Sequence, residues 1–429
     1  MKIGGIIAEY NPYHNGHAFQ VSQVKKECDG VVAVMSGSVA QRGMITVYDK
    51  FIRSRAAVLG GVDLVVELPC AYTLAPAELF AAGAVALLDE MKVIDRLYFG
   101  SECGDTLSLK RAAEIMMEET PEISLRIKEN LKSGMGYRAA QLAAYIGTIP
   151  TELINRPNNI LGIEYIKAIL RAKSKIEPKA LLRKFANHND TSPSNGFASA
   201  NAIRDILDAK GSVTEYVPAK THYIYGTAVP YDKKILDALI LYMLRIRGMK
   251  VFDTVFDAPP EMVARILHAV PEATSLDDIL NYSHTRQYTN ARIRRALMSA
   301  LLELNGELVN TPPQYIRVLA FNDTGREILS EIQKKSKLPV ITKTADFREK
   351  SSLFEVEIRA TELSSICRGF RRGLDYTNTP AYIRSASDDT PPKTEQNPEN
   401  KPVKPVKKSA APAKKQTEKP AKKAAAIKK

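Results

Sequence analysis

The chain contains no tryptophan, and only four cysteines and six histidines among 429 residues. Cys28, Cys70, Cys103 and Cys367 stand at separations that match neither a CxxC zinc site nor a dense disulfide framework, so they read as reduced, mostly packed thiols. No run reaches the ~18 to 20 apolar residues needed to cross a bilayer. Met1-Lys2 leads into a strand-like segment containing Glu9, not into a signal-peptide core. A soluble, cytoplasmic protein without a membrane partner is expected. With 45% hydrophobic residues, a chain of this length can form two or three packed domains, and no internal repeat is visible.

Acidic residues are scarce at one end. The formal net charge is +13, but Pro391 to Lys429 alone holds twelve lysines against three glutamates, a net +9. That stretch has no aromatic residue, and Val403, Val406 and Ile427 are its only larger apolar groups. It cannot bury enough surface to offset its ordering entropy, so a disordered Lys/Ala/Pro-rich tail is expected over 386–429. Such a tail serves either solubility or nonspecific RNA tethering through counterion release.

From residue 1 to about 105 strand-like and helix-like segments alternate. Ile3–Ala8, Gly30–Met35, Val62–Glu67 and Arg96–Phe99 read as strands, and stretches near Ala18–Lys26, Asp49–Leu59 and Ala77–Met91 have helical spacing. This alternation predicts an α/β fold with a parallel sheet and helices on both faces. Ile176–Ala186 reads as one more strand. Lys233–Gly248, Pro260–Ala269, Ser275–Asn281 and Asn290–Leu304 predict a mainly helical second region, closed by a small mixed segment from Tyr315 to about Arg359. In a parallel sheet ligands collect at the carboxyl ends of strands, where His14, His17, Ser36-Gly37 and Gly100-Ser101 all fall.

The most informative string is Ala8-Glu9-Tyr10-Asn11-Pro12-Tyr13-His14-Asn15-Gly16-His17, on a strand-to-helix turn. A helix N-terminus offers free backbone N–H groups and the positive end of the dipole, which favour an anion such as phosphate. His14 and His17, three apart, can face one side as the helix begins. Two imidazoles there suit a reaction that builds charge on departing pyrophosphate. The alternatives are a zinc pair, for which the other histidines supply no nearby ligand motif, and simple packing. No metal site is predicted. Cys103 lies near the expected crevice without a histidine arranged to activate it.

His14-Asn15-Gly16-His17 resembles the "HIGH" signature of the nucleotidyltransferase superfamily. The longer string Ala8–His17 resembles the tRNA(Met) cytidine acetate ligase family. Further matches follow in order: Met35-Ser36-Gly37 with Gln41-Arg42-Gly43, Gly61 through Pro69, Phe99-Gly100-Ser101-Glu102, Pro157-Asn158-Asn159-Ile160-Leu161-Gly162, and Ser199-Ala200-Asn201-Ala202-Ile203-Arg204. The resemblance covers roughly residues 1 to 380. It implies a Rossmann-like nucleotidyltransferase domain over 1–215, a mainly helical tRNA-binding domain over 216–385, and the tail. It also implies an ATP-dependent ligase that activates acetate as acetyl-adenylate and acetylates the wobble cytidine of elongator tRNA(Met). No obligate protein partner is inferred. ATP is the cosubstrate and Mg2+ its expected companion, although no local carboxylate cluster marks a magnesium site.

By that resemblance the ATP-binding residues are Ile7, Ala8, Glu9, Tyr10, Asn11, Pro12, Tyr13, His14, Asn15, Gly16, His17, Gly100, Asn158, Asn159, Arg183, Ser199 and Arg204, with His14 and His17 catalytic. Gly100 can equally be a turn residue. Of Asn158 and Asn159, one is expected to cap the following helix and the other to face the ligand. Arg183 precedes Asn187-His188-Asn189-Asp190, which departs from the family's His-Asp-like segment. Ser199 is also a good N-cap, and Arg204 could be a solvated helix residue. Arg42 offers a guanidinium for acetate or phosphate, or is equally a surface residue without a role.

For tRNA the best segment is Arg286-Gln287-Tyr288-Thr289-Asn290-Ala291-Arg292-Ile293-Arg294-Arg295. Thr289 or Asn290 can cap a helix exposing Arg292, Arg294 and Arg295 to phosphates. Arg286 belongs to the same basic element, and Tyr288 can stack on a base. The alternative is a solvated helix face with Tyr288 in the core. Arg317 is a weaker RNA candidate. Two other functions share these motifs: a small-molecule adenylyl- or cytidylyltransferase, and a noncatalytic RNA-binding protein with a degenerate nucleotide pocket.

Overall fold

A computed structural model describes residues 1–183 and 196–384. The expected tail and the segment Asn187–Asp190 lie outside the described residues.

Among the described residues ten strands occur in chain order: β1 Ile3–Ala8, β2 Gly30–Ser36, β3 Val39–Ala40, β4 Met44–Ile45, β5 Leu64–Leu68, β6 Arg96–Ser101, β7 Glu177–Leu182, β8 Ile316–Phe321, β9 Val340–Ile341 and β10 Ala381–Tyr382. Eight form one sheet in the order β10-β8-β5-β2-β1-β6-β7, with β9 beside β8. β1 lies between β2 and β6, and β5, β2, β1, β6 and β7 are all mutually parallel. Runs such as Val31-Val32-Ala33-Val34-Met35 and Leu64-Val65-Val66 are buried throughout, because helices cover both faces of the sheet. β3 and β4 form a separate antiparallel hairpin directly after β2.

The alternation predicted for the first 105 residues corresponds to β1, β2, β5 and β6 with the helices Asn15–Val24, Lys50–Leu59 and Ala77–Glu90 between them. Ile176 onward returns to the sheet as β7, pairing with β6 from Arg96↔Glu177 to Ser101↔Leu182. Helix Pro157–Arg171 packs on Ala77–Glu90 and carries the chain back to that edge.

The second half departs from a simple helical module. Helices Lys233–Arg247, Pro260–Ala269, Leu276–Ser283 and Asn290–Leu301 occur as expected. After them β8 inserts antiparallel to β5, pairing Leu64↔Phe321, and β9 and β10 run parallel to β8. The segment predicted as small and mixed thus completes the main sheet. It also contains a long helix, Ser352–Ile366, that the sequence reading did not separate. The described residues accordingly fall in one compact unit.

The closure is electrostatic as well as apolar. Lys50 Nζ lies 2.7 Å from Glu67 and 2.9 Å from Asp375, while Arg317 lies 3.2 Å from Glu67 and 2.7 Å from Asp375. All four side chains are buried. Arg317, considered above for RNA, is therefore a buried cation committed to two carboxylates. Glu357, from the long helix, accepts the Cys70 N–H, and burial followed by the neighbouring Glu67 charge holds its carboxyl well above the usual range. Among the described residues no helix is long and apolar enough to cross a membrane.

A candidate nucleotide site at the strand ends

The turn after β1 is organised by its histidines. Ile7 and Ala8 end β1, and the chain leaves through Glu9, Tyr10 and the cis Asn11–Pro12 peptide to reach His14, the N-cap of helix Asn15–Val24. His14 Nδ1 accepts the Gly16 N–H at 3.0 Å, and His17 Nδ1 accepts the His14 N–H at 3.2 Å. This is a capping box built from imidazoles, and the rings stack with centroids 3.7 Å apart. Because both Nδ1 atoms accept backbone protons, each neutral ring carries its own proton on Nε2. Nε2–H is then the donor available to a ligand. Burial, with Arg183 and Arg204 next, pushes the His14 pKa down to about 3; burial, then His14 and Arg183, holds His17 well below the ordinary imidazole value. The turn therefore presents neutral donors at neutral pH.

Neighbouring elements hold that geometry. Asn11 Oδ1 accepts the Val47 N–H at 2.7 Å, and the Asn11 carbonyl accepts from Arg204 at 2.7 Å. Glu9 accepts the Gln41 N–H at 2.7 Å. The Tyr13 hydroxyl donates to the Gly60 carbonyl at 2.9 Å, while Tyr225 donates to the Tyr13 carbonyl at 3.0 Å. Tyr10 and Tyr13 are both buried, with ring centroids 4.9 and 5.6 Å from that of His17. The Asn15 amide donates to the carbonyls of Gly196 (2.8 Å) and Glu215 (3.0 Å).

Sequence reasoning passed over Arg53, which is fully buried. Its guanidinium donates to the carbonyls of Glu9 (2.5 Å), Tyr48 (3.0 Å), Ser36 (3.0 Å) and Gly37, tying the exits of β1 and β2 together. The signal was available: Lys50, Arg53, Ser54 and Ala57 follow the i, i+3, i+4, i+7 pattern of one buried helix face.

Across the crevice, Gly100, next to last in β6, lies beside Arg183. A Cβ at position 100 would lie 3.3 Å from Arg183 Cγ, so the arginine stem covers the glycine. The Arg183 N–H donates to the Ser101 carbonyl at 3.0 Å. The two asparagines differ from expectation. Glu102, not an asparagine, caps helix Pro157–Arg171: its carboxylate accepts the N–H groups of Asn158 (3.2 Å) and Asn159 (2.8 Å) and the Asn158 amide (2.6 Å). Asn159 is buried, and its Oδ1 accepts from Ser101 Oγ (2.8 Å) and the Glu102 (2.9 Å) and Cys103 (3.2 Å) N–H groups. The Phe99–Glu102 and Pro157–Gly162 motifs are thus two halves of one lock.

Ser199 caps helix Ala200–Asp208, accepting the Ala202 N–H at 3.1 Å. Arg204 on that helix is not a solvated residue: besides Asn11 it bonds Asn201, and the Arg42 charge acts on it. His14, His17, Arg183 and Arg204 therefore converge, with exposed Arg42 at the border.

The basic helix is arranged differently from expectation. Thr289 caps Asn290–Leu301 through the Arg292 N–H at 3.4 Å, but Tyr288 is buried and its ring is not open to a base. Arg292 pairs with Asp257 at 2.5 Å and Arg295 reaches the same carboxylate at 3.8 Å, whereas Arg294 lies 3.9 Å from Asp277. Arg286 is exposed. The helix nevertheless touches the site. At Gly43, with φ +73°, a Cβ would lie 2.4 Å from both the Arg294 carbonyl carbon and the Arg295 nitrogen, so the Gln41-Arg42-Gly43 loop rests on the helix backbone.

A mostly parallel sheet with a histidine turn at its strand ends, flanked by two arginines, defines a nucleotidyl transferase of the HIGH type. The family model described as HIGH nucleotidyl transferase matches residues 1–373. A tRNA(Met) cytidine acetate ligase from Caldanaerobacter subterraneus subsp. tengcongensis is 39% identical over 384 residues, spanning 85% of this chain and 95% of that protein. One of the same name from Clostridium perfringens is 34% identical over 406 residues, spanning 90% and 100%. Among solved structures, Thermotoga maritima TmcAL bound with alpha-thio ATP superposes with a TM-score of 0.81 at 30% identity, covering 90% of this chain and 100% of that one. The chain belongs to the tRNA(Met) cytidine acetate ligase family.

Proposed function

We propose that the protein is an ATP-dependent ligase that activates acetate and acetylates the exocyclic amine of the wobble cytidine in elongator tRNA(Met). In the first step an acetate oxygen attacks the α-phosphorus of ATP, the bond to the bridging oxygen of the β-phosphate breaks, and pyrophosphate leaves. In the second the cytidine amine attacks the acetyl carbonyl, AMP leaves, and the amine loses one proton. The stacked pair His14 and His17 carries this reading. Two preorganised Nε2–H donors at a helix N-terminus, backed by the charges of Arg183 and Arg204, suit the negative charge that develops on departing pyrophosphate.

The turn Ile7–His17, with Gly100, Arg183, Ser199 and Arg204, is the proposed ATP cradle. Arg42 would hold acetate or a phosphate. Asn158 and Asn159, also expected in the ATP set, are tied to Glu102 at the edge of this cradle. Among the described residues no group of three or more His, Cys, Asp or Glu is placed to hold a metal, so magnesium would arrive on the triphosphate, and no step here runs through it. A tRNA substrate implies the cytoplasm as the working compartment.

Incubation with ATP and acetate, with and without bulk tRNA, tests the reading. AMP and N4-acetylcytidine in tRNA are the expected products. Transfer of a nucleotide to a phosphate-bearing small molecule would replace it with an ordinary nucleotidyltransferase, and RNA binding without AMP release would remove the catalytic assignment.

A further inference from the structure

With Tyr288 buried, the basic region has no base platform where the sequence suggested one. A different tyrosine, on the preceding helix, is both exposed and held in place. Tyr282 is 48% exposed, yet it is held on several sides. Its ring lies parallel to His268, with centroids 5.2 Å apart and planes 6° off parallel, and its hydroxyl is 2.7 Å from His268 Nδ1. The Arg265 guanidinium stands 5.9 Å from the ring centroid and is itself fixed by the carbonyls of Tyr282 (3.0 Å) and Ser283 (3.3 Å).

We propose that Tyr282, backed by His268 and Arg265, is a stacking platform for an unpaired nucleobase of the RNA substrate. The proposal rests on the tRNA reading above and adds to it a second point of contact away from the reacting cytidine. An exposed aromatic side chain ordinarily loses rotamer freedom when it stacks. Here the hydroxyl bond and the neighbouring imidazole have already restricted the ring, so a base meets a preorganised surface. With the hydroxyl donating to Nδ1, the imidazole keeps Nε2–H as a donor to a base edge or phosphate. The surroundings favour RNA over a protein partner. From 281 to 287 the exposed residues are Asn281, Tyr282, His284, Arg286 and Gln287, and the exposed carboxylates one turn earlier are already engaged, Asp278 by Thr274 and Ser275 and Asp277 facing Arg294 at 3.9 Å. A protein-docking surface would need a contiguous apolar patch, whereas one ring among basic and amide groups matches a base and its phosphates.

The platform is also joined to the catalytic crevice. The loop holding Arg42 rests on the backbone of Arg294–Arg295, and Arg294 reaches Asp277 on the helix that carries Tyr282. These contacts link the helix that carries Tyr282 to the loop at the border of the crevice.

Binding of tRNA to the full chain, measured at two salt concentrations, tests this with Tyr282→Ala and Tyr282→Phe. Tyr282→Ala is expected to weaken binding about ten-fold or more with an unchanged salt slope, because stacking releases no counterions; Tyr282→Phe keeps the π-face and should stay within about three-fold of wild type. Acetyl-adenylate formation without tRNA should match wild type in both, which also reports correct folding. Ultraviolet crosslinking of wild-type protein to tRNA, read by mass spectrometry, should find a nucleotide on Tyr282. Wild-type affinity in Tyr282→Ala, or crosslinks that omit Tyr282, overturns the platform while leaving the tRNA reading intact. A wild-type protein that neither binds nor acetylates tRNA overturns both.

Discussion

Lys50 and Arg53 sit one turn apart on the same helix, and both are fully buried, yet their charges are met in opposite ways. Lys50 enters a closed cluster in which Glu67 and Asp375 answer Lys50 and Arg317. Arg53 touches only carbonyl oxygens, so its charge is solvated by backbone dipoles and not neutralised by direct carboxylate contact. Burial lowers its pKa only to about 10, so it stays cationic beneath the histidine turn. The cluster closes the sheet onto the C-terminal strands. Arg53 instead fixes the exits of β1 and β2, with the Asp49 and Glu9 charges acting on it from a distance. Buried charge cancelled by direct contact closes the architecture, whereas charge held chiefly by backbone dipoles positions the chain next to the crevice.

Removing one member of the closed cluster should produce the largest change in stability. Lys50→Met leaves two carboxylates facing Arg317 alone and is expected to cost about 3–5 kcal/mol, the usual penalty for an uncompensated buried charge. Denaturant unfolding measures it, and a loss below about 1 kcal/mol would mean that the cluster does not hold the sheet together.

The open site should respond in rate more than in stability. His17→Ala is expected to lower acetyl-adenylate formation about 10²–10³-fold, and His14→Ala similarly, with about 1 kcal/mol of stability also lost because His14 is the N-cap. Rates within a few-fold of wild type in both variants would remove the pair from the chemistry.

Acid separates the two regions further. The His14 folded pKa of about 3 lies below its unfolded value of ~6.5, so the unfolded chain takes up the proton first. This contribution to stability is fully present above about pH 6.5 and declines as pH falls toward 3. It amounts to on the order of 2 kcal/mol between pH 7 and 5. Chemical denaturation at those two pH values should show a smaller difference for His14→Gln than for wild type; an equal difference would mean that the ring is solvated.

Smaller effects are expected on the RNA side. Replacing Arg292, Arg294 and Arg295 together by Ala should weaken tRNA binding and flatten its salt dependence, while activation of acetate without tRNA survives. Since Arg292 and Arg295 already share Asp257, a change in salt slope nearer one than three is expected. Unchanged affinity across salt concentrations would make this helix a structural support for Gly43. Deleting Pro391 to Lys429 should leave the melting temperature and the chemical step as they are, and raise the apparent KM for tRNA only at low salt, since a net +9 is removed. A drop of several degrees would show that the segment packs on the folded body.

What the sequence by itself determined is local. The apolar runs specify β1, β2, β5 and β6, the spacing after them specifies the covering helices, and the ordered motifs from Ala8 to Arg204 mark the strand ends as the site. Each depends on neighbours within a few residues or on a short recognisable string. Tertiary structure alone decided the rest, because pairing over long chain separations leaves no periodic trace. β8 reads as an ordinary apolar run wherever it packs, and only the folded chain lays it antiparallel to β5. Arg317 and Tyr288 looked like RNA contacts because basic and aromatic residues near one another carry the same pattern on a surface or in a core. Burial against Glu67 and Asp375 removed the first, and core packing the second. Glu102 became a helix cap because its partners stand 56 and 57 residues away, and desolvation, not spacing, set the protonation of His14 and His17.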